Sequence, residues 1–291
     1  MTPATTAVVG AQGFIGSALT AALAARSVPT LTFTRASPPL ALDGTLAPGL
    51  AHAATIVWAA ASINPAIAES RPDKVDADRD SLGRLLTALG QQESSPARFV
   101  FLSSGGTVYD PAAPVPYRED SRCAPQGAYG RAKVEGESLV LAAADPVVLR
   151  IANAYGPGQP VAPGQGVISH WLHTIHRGDP VTVFGSPETA RDYIHIDDIV
   201  SAVVAVVAAP QTPRVLNIGS GYPTTLEELR SAVESVTGPF AVQHRESRSF
   251  DVSRTWLDVS LAQQALGWRA GVTLADGIAS TWRSVHHGRP T

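Results

Sequence analysis

One cysteine, Cys123, serves the whole 291-residue chain. No internal disulfide can form, and no zinc cluster can be assembled from thiolates. A reducing cytoplasm is the expected compartment. Charge is scarce as well. Asp, Glu, Lys and Arg make up 16% of the residues and the formal net charge is -3, so the basic footprint that nucleic acid needs is missing. No apolar run reaches the ~18 residues of a membrane-spanning helix. The opening MTPATTAVVG runs straight into a strand pattern, without the charged region and apolar core of a signal peptide. No internal repeat is visible. What remains is a 44% apolar, globular composition, long enough for one large or two closely packed domains.

The stretch Ala7-Val8-Val9-Gly10-Ala11-Gln12-Gly13-Phe14-Ile15-Gly16 is the most informative. A short β-branched run reads as a buried strand. It passes through three glycines into an Ala/Leu-rich helix running from Phe14 to about Arg26. A strand, a tight turn and a helix N-terminus make an anion site, because backbone N–H groups and the helix dipole point at one place. Gly10 allows the turn, Gly13 lets a pyrophosphate approach the backbone, and Gly16 lets helix and strand pack closely. The glycine spacing is three and three, not the two and three of the standard dinucleotide fingerprint. A plain strand-to-helix turn is the alternative reading of these glycines.

Thr30 to Thr34 reads as a second strand. An acidic residue at the end of such a strand holds the ribose 2′-hydroxyl of NAD, whereas an arginine there meets a 2′-phosphate. Here the strand runs into Arg35, with no acid beside it. The alternative is a solvated surface arginine. Ser37 to His52 is loop-like, with Asp43 a candidate adenine-side contact. Thr55 to Ala61 is a further strand, and the small Ala59 and Ala60 at its end let a flat cofactor lie close. A helix over 73–92 and a strand Arg98–Leu102 follow, the latter opening into Ser103-Ser104-Gly105-Gly106-Thr107-Val108-Tyr109. Strands alternating with helices predict a parallel sheet covered on both faces, with ligands beyond the strands' carboxyl ends.

Tyr129 and Lys133 are four residues apart, so on a helix they share a face. An ammonium there favours phenolate over phenol, which suits Tyr129 to acid/base work. The lysine can also bond a ribose hydroxyl. A surface helix pair is the competing reading.

With these motifs in order, the chain resembles the extended short-chain dehydrogenase/reductase family of NAD(P)-dependent sugar-nucleotide epimerases, dehydratases and reductases. The residues that carry the resemblance are GAQGFIG (10–16), SSGGTVYD (103–110), YGRAK (129–133), LRIANAYGPGQ (149–159), QGVI (165–168), RDYIHIDDIV (191–200), LNIGSG (216–221) and DVSRTWLDVS (251–260). The resemblance implies an α/β fold: a Rossmann-type doubly wound parallel sheet with a smaller C-terminal substrate lobe. It divides the chain into a dinucleotide-binding part, 1–155 with 191–218 returning to its sheet, and a sugar-nucleotide lobe, 156–190 and 219–291. It further implies hydride transfer between a nicotinamide and a sugar carbon, and relatives that pair as homodimers through the Tyr/Lys helix.

Carried onto matching positions, Tyr129 is the catalytic acid/base and Lys133 its electrostatic partner. Both would also contact the cofactor, with Gly10, Gln12, Gly13, Phe14, Ile15, Gly16, Arg35, Ala59 and Ala60. The position of the family's catalytic Ser or Thr is Gly105 here, a departure. The hydroxyl then comes from Ser104 or Thr107, or from water, while Ser103 is expected inside the strand. Asn153, Arg191 and Arg248 match family residues that reach the substrate's diphosphate, ribose and phosphates, a task that suits a guanidinium fork. A turn-forming asparagine and surface salt bridges are the plainer alternatives.

His170, His173 and His176 fall on one expected helix, Val167–Arg177. With no nearby acid or thiolate they are read as surface or contact residues, and no metal is expected. Asp197 and Asp198 are read as helix-capping rather than as paired catalytic carboxylates. Thr225 to Glu228 has the look of a capping box. Trp256, Trp268 and Trp282 are read as packing. NADP(H) is the expected cofactor and NAD the alternative. The expected activity is reduction of a 4-keto-deoxysugar nucleotide, with a UDP-hexose 4-epimerase as alternative and a non-catalytic dinucleotide sensor as a third, remoter reading.

Overall fold

The computed structural model describes residues 4–92, 97–162, 165–245 and 254–287. The chain begins with β1 (Thr6–Val9), α1 (Phe14–Ala25), β2 (Thr30–Phe33) and β3 (Thr55–Trp58). Next come α2 (Pro65–Ser70), α3 (Pro72–Gly90), β4 (Arg98–Ser104), α4 (Ala128–Leu141) and β5 (Asp145–Ile151). Shorter elements follow: β6 (Asn153–Tyr155), α5 (Val167–His176), β7 (Val181–Phe184), β8 (Ala190–Arg191), β9 (Tyr193–His195) and α6 (Ile196–Ala208). The last are β10 (Val215–Ile218), β11 (Thr224–Thr225), α7 (Leu226–Thr237), β12 (Val242–Arg245), β13 (Arg254–Thr255), α8 (Ser260–Leu266) and α9 (Leu274–His286).

Six strands form one sheet in the order β10-β5-β4-β3-β1-β2, every neighbouring pair parallel. This is the doubly wound sheet expected from the alternating pattern. Side chains on a strand alternate between faces. Val8, Val57, Val100 and Leu102 accordingly share one core with Leu19 and Leu23 of α1 and Ile199 and Val203 of α6. Ala7, Val9, Ile56, Trp58, Phe99 and Phe101 belong to the opposite core, with Leu82 and Leu85 of α3 and Val140 of α4. Each large apolar side chain fully buried this way stabilises the fold by about 1.5–3 kcal/mol. A slip of one residue would exchange the two faces, so the register is firmly set.

The strand order reverses at β1: the chain goes to β2 on one side and returns to β3 on the other. In open α/β sheets the crevice at such a reversal is where ligands sit. Here it lies between the end of β1, at Val9 and Gly10, and the end of β3. That strand stops at Trp58, earlier than the expected Ala61, so Ala59 and Ala60 are open backbone at the crevice.

Within residues 191–218, β10 joins the edge of the sheet beside β5 and α6 packs against α1. β8 pairs instead with β11 and β13, and β9 with β6. A third core joins Trp171 and Leu172 of α5, Val181 and Val183 of β7, Leu229 and Val233 of α7 and Ile278 of α9. β12 lies parallel to β7 on its border. The capping box is present: Thr225 Oγ1 accepts from Glu228 N at 3.1 Å and a Glu228 carboxylate oxygen accepts from Thr225 N at 2.7 Å, a motif worth about 1 kcal/mol. Among the described residues no helix is long and apolar enough to cross a membrane.

Candidate active site

At the crevice the first turn is shaped by what cannot fit. Gly10 has φ 89°, and a β-carbon there would stand 2.6 Å from Ala60 N. A β-carbon on Gly16 would strike the Gly10 carbonyl oxygen. Both positions therefore demand glycine, which presses β1, α1 and the end of β3 together. Gly13 is the N-cap of α1, and no side chain caps that helix. Its first-turn N–H groups are left for a ligand, at the positive end of the dipole. Gln12 and Gly13 are exposed on the turn, while Phe14 and Ile15 are half-buried and pack into the core under α1. An uncapped helix start in a cradle too tight for side chains fits a dinucleotide's pyrophosphate.

Gly10 N and Ala11 N both donate to the Phe33 carbonyl, at 2.9 and 3.1 Å. That pair of bonds sets the end of β2 against the glycine turn. Arg35 follows, exposed, and forms no hydrogen bond or ion pair with any described residue. No Asp or Glu stands between Phe33 and Asp43. Asp43 is occupied locally, accepting from Thr45 N at 2.9 Å.

Tyr129 and Lys133 lie on α4, whose start is capped from outside: Glu69 of α2 accepts from Ala128 N at 2.6 Å. Lys133 is buried and donates from Nζ to the Leu102 carbonyl at 3.0 Å. Its Nζ is 5.6 Å from the Tyr129 ring centre and 5.1 Å from that of Phe101. Two glycines bring the helix this close. A β-carbon on Gly136 would meet the Phe101 ring at 2.7 Å, and one on Gly130 would strike the Thr107 carbonyl oxygen. Glycine in a helix interior costs about 1 kcal/mol relative to alanine, and here it buries the lysine against β4. Lys133 lines an open cleft with Trp58, Ala60, Ala61 and Asp78. Asp78 is anchored by Ser62, whose N and Oγ both donate at 2.7 Å.

The Ser/Gly loop leaves β4 between this cleft and a second one. Ser103 is buried in the strand, as expected, and its Oγ donates to Glu137 Oε1 at 2.5 Å. Ser104 is half-buried, and its carbonyl accepts from Thr107 N and Val108 N at 3.2 Å each. Thr107 Oγ1 is buried without a partner among the described residues, a state that costs about 1–3 kcal/mol unless something satisfies it. A β-carbon on Gly105 would lie 2.6 Å from Leu257 Cδ1 and 3.0 Å from the Arg150 carbonyl oxygen.

Behind the loop lies a buried polar network. The Arg150 guanidinium bonds Glu137 at 2.7 Å and sits 4.8 Å from the Tyr109 ring centre. Tyr109 donates to Asn217 Oδ1 at 2.6 Å. Burial pushes the Tyr109 phenol up to about 12, against the pull of Arg150. Asn217 also donates from Nδ2 to the Tyr117 carbonyl at 2.9 Å and to the Asp258 carbonyl at 3.2 Å. Sequence reasoning assigned none of these roles.

A second, narrow cleft is lined by Gly105, Gly106, Ala152, Asn153, Asp192, Thr255, Trp256 and Leu257. Asn153 donates from N and Nδ2 to the Asp192 carbonyl, both at 2.9 Å. Asp192 is buried, and Oδ1 accepts from Ser220 N at 2.8 Å and Ser220 Oγ at 2.7 Å. Burial raises its carboxyl above the usual range, with those bonds opposing. Arg191 is half-buried, donates to the Ala190 carbonyl at 2.9 Å and is in register with Thr255. Arg248 lies outside the described residues. Trp256 lines this cleft; Trp268 is buried and donates to Ser201 Oγ at 2.8 Å.

The histidines of α5 point into local contacts. His173 Nδ1 bonds the Ser169 carbonyl at 2.9 Å, and the His176 ring meets His286 edge-on at 4.7 Å. Helix α6 is capped by His195 rather than by an aspartate, its Nδ1 accepting from Asp197 N at 3.3 Å. Asp198 ties in a distant segment, accepting from Gly271 N at 2.8 Å and Val272 N at 3.0 Å.

Fold and crevice together define a dinucleotide-binding α/β protein whose Tyr/Lys helix borders the cleft next to Ala60 and Ala61. Residues 6–219 match the model of the NAD dependent epimerase/dehydratase family, and the chain belongs to that family as one of its enzymes. It is 29% identical to dTDP-4-dehydro-6-deoxyglucose reductase of Escherichia coli, over 96% of each chain. It is 31% identical to UDP-glucose 4-epimerase of Mycolicibacterium smegmatis, over 71% of this chain and 68% of that one. Among solved structures it superposes on the Thermotoga maritima UDP-glucose 4-epimerase with UDP-glucose at a TM-score of 0.84. That pair shares 25% identity, over 97% of this chain and 99% of the other.

Proposed function

We propose that the protein is an NADPH-dependent reductase acting at carbon 4 of a 4-keto-deoxysugar nucleotide. The observation that carries this reading is Arg35: an exposed guanidinium with no partner among the described residues, two positions past the strand end that bonds the glycine turn, with no Asp or Glu between Phe33 and Asp43. Such a group suits the 2′-phosphate of NADPH, whereas the carboxylate that accepts from the 2′-hydroxyl of NAD is absent from this stretch. Likeness to the E. coli reductase over nearly the full chain supports the same direction.

The bound nicotinamide supplies the hydride for the carbonyl carbon. The protein's own groups do the rest. Gly10, Gly13 and the start of α1 take the pyrophosphate. Ala59 and Ala60 leave room for the flat cofactor, while Gln12, Phe14 and Ile15 shape the turn. Tyr129 gives its phenolic proton to oxygen 4 as the carbonyl becomes an alcohol, and recovers one from solvent. Lys133, fixed by Leu102, keeps positive charge beside that phenol and has further N–H groups for a ribose hydroxyl. Thr107, with Ser104 behind it, polarises the carbonyl in place of the hydroxyl absent at Gly105. Asn153, Arg191 and Arg248 hold the diphosphate. The division into a dinucleotide part, 1–155 with 191–218, and a sugar-nucleotide lobe, 156–190 and 219–291, goes with these roles. A homodimer in the cytoplasm is the setting this reading carries.

The second reading, a UDP-hexose 4-epimerase, uses the same residues with tightly held NAD and is favoured by the 31% identity to the M. smegmatis enzyme. Gly105 counts against it, because one base must then serve both sugar faces. Mass spectrometry after gentle denaturation separates the two. Release of bound NAD without added substrate supports the epimerase. An empty protein that consumes NADPH with a dTDP-4-keto-6-deoxyhexose supports the reductase. If the Tyr129→Phe variant retains full biological activity, the protein is instead a sensor.

A further inference from the structure

The second cleft carries a feature that the reaction itself does not use. Thr255 is 5% exposed, lines the cleft, and its Oγ1 has no hydrogen-bond partner among the described residues. A buried hydroxyl left unpaired is costly, so a site that orphans one is set for a ligand's polar group. Two residues on, Leu257 stands where a side chain at position 105 would stand, 2.6 Å from that β-carbon point. The wall shared by Gly105, Ala152 and Leu257 is hydrocarbon and bare backbone. The Leu257 backbone is pinned: it bridges Tyr117, and Asp258 N donates to the Tyr117 carbonyl at 2.8 Å. The one carboxylate lining the cleft, Asp192, is taken up by Ser220 and Gly221.

We propose that Thr255 and Leu257 select the sugar: the Thr255 hydroxyl bonds a ring hydroxyl, while Leu257 faces a carbon that bears none, so a 6-deoxyhexose is taken in preference to its 6-hydroxy counterpart. The inference rests on the nucleotide-sugar reading above. A hydroxymethyl group set against Leu257 loses its water and gains no partner, whereas a methyl group loses nothing. Thr255 adds affinity that a valine of the same shape lacks.

The test uses dTDP-hexoses that differ only at carbon 6, CH3 or CH2OH, each as both carbon-4 epimers. They are oxidised with NADP, and their binding is also followed by calorimetry. The expected wild-type preference for the 6-deoxy sugar is at least about tenfold in kcat/KM. Leu257→Ala, or Leu257→Val should the alanine variant fail to fold, shrinks that preference several-fold. Thr255→Val weakens binding of both sugars about tenfold, and Thr255→Ser restores it. Equal wild-type use of the two sugars, a preference unmoved at Leu257, or unchanged binding in Thr255→Val overturns the inference alone. Failure to oxidise or bind any of the four overturns the nucleotide-sugar reading with it.

Discussion

Leu257 and Gly105 occupy one site between them: the leucine's Cδ1 stands 2.6 Å from where a β-carbon on residue 105 would be. The two positions must therefore change together. Gly105→Ser alone overpacks the end of β4 and is expected to destabilise by about 1–3 kcal/mol. Adding Leu257→Ala makes room for the hydroxymethyl. The double variant should melt above the sum of its singles, and thermal unfolding of all four proteins reads this directly. Strict additivity would show that the contact is not the reason for the glycine.

Tyr129→Phe removes one oxygen from α4. The expected loss in kcat is about 10²–10⁴-fold. NADPH binding, followed by fluorescence titration, should stay within about threefold. A variant that keeps a tenth of the activity would assign the proton transfer elsewhere, with Thr107 the next group to replace.

Arg35→Ala should weaken NADPH and leave NADH alone. Loss of a charge-assisted contact to a phosphate is worth about 1.5–3 kcal/mol, or about tenfold or more in Kd. Equal affinities for the two cofactors in the wild type, unmoved by the substitution, would assign this arginine to solvent.

Glu137 and Arg150 are 3% and 6% exposed and bond at 2.7 Å. Removing one partner strands a buried charge, at a cost of about 3–5 kcal/mol. Glu137→Ala is therefore expected to lose more stability in urea than the double Glu137→Ala, Arg150→Met. The reverse order would mean that water reaches Arg150.

His195 is buried under Tyr155 and Ser280. Burial holds its imidazole below the ordinary value, with Asp197 and Asp198 opposing. The native state then binds fewer protons than the unfolded chain. Its contribution is complete above the unfolded pKa of about 6.5 and is lost as pH falls through the folded one. The melting temperature should drop between about pH 7 and about pH 5, with a shallower slope in His195→Asn. Parallel slopes for the two proteins would put the proton uptake on another histidine.

What the sequence made legible was local. The glycines at 10, 13 and 16, the short apolar strand runs and the Tyr129/Lys133 spacing each express backbone geometry over a few residues. The capping box at Thr225 did so too. What stayed hidden depends on contacts distant along the chain. Nothing near Asn217 announces its bond to Tyr109, and nothing near Leu257 announces Gly105. Strands of two residues, β8, β11 and β13, are too short to show any periodicity, yet β8 and β13 bring Arg191 and Thr255 side by side. The bonds from Gly10 and Ala11 to Phe33, which set the end of β2 against the turn two residues before Arg35, leave no mark in the sequence.

The pairing of Tyr117 with Leu257 has a consequence for synthesis on the ribosome. The glycine turn, Arg35 and the Tyr129/Lys133 helix all precede Leu257 in the chain. The contact between Gly105 and Leu257 waits for a segment made long after that helix. A nascent chain that stops short of residue 257 therefore leaves this end of β4 uncovered.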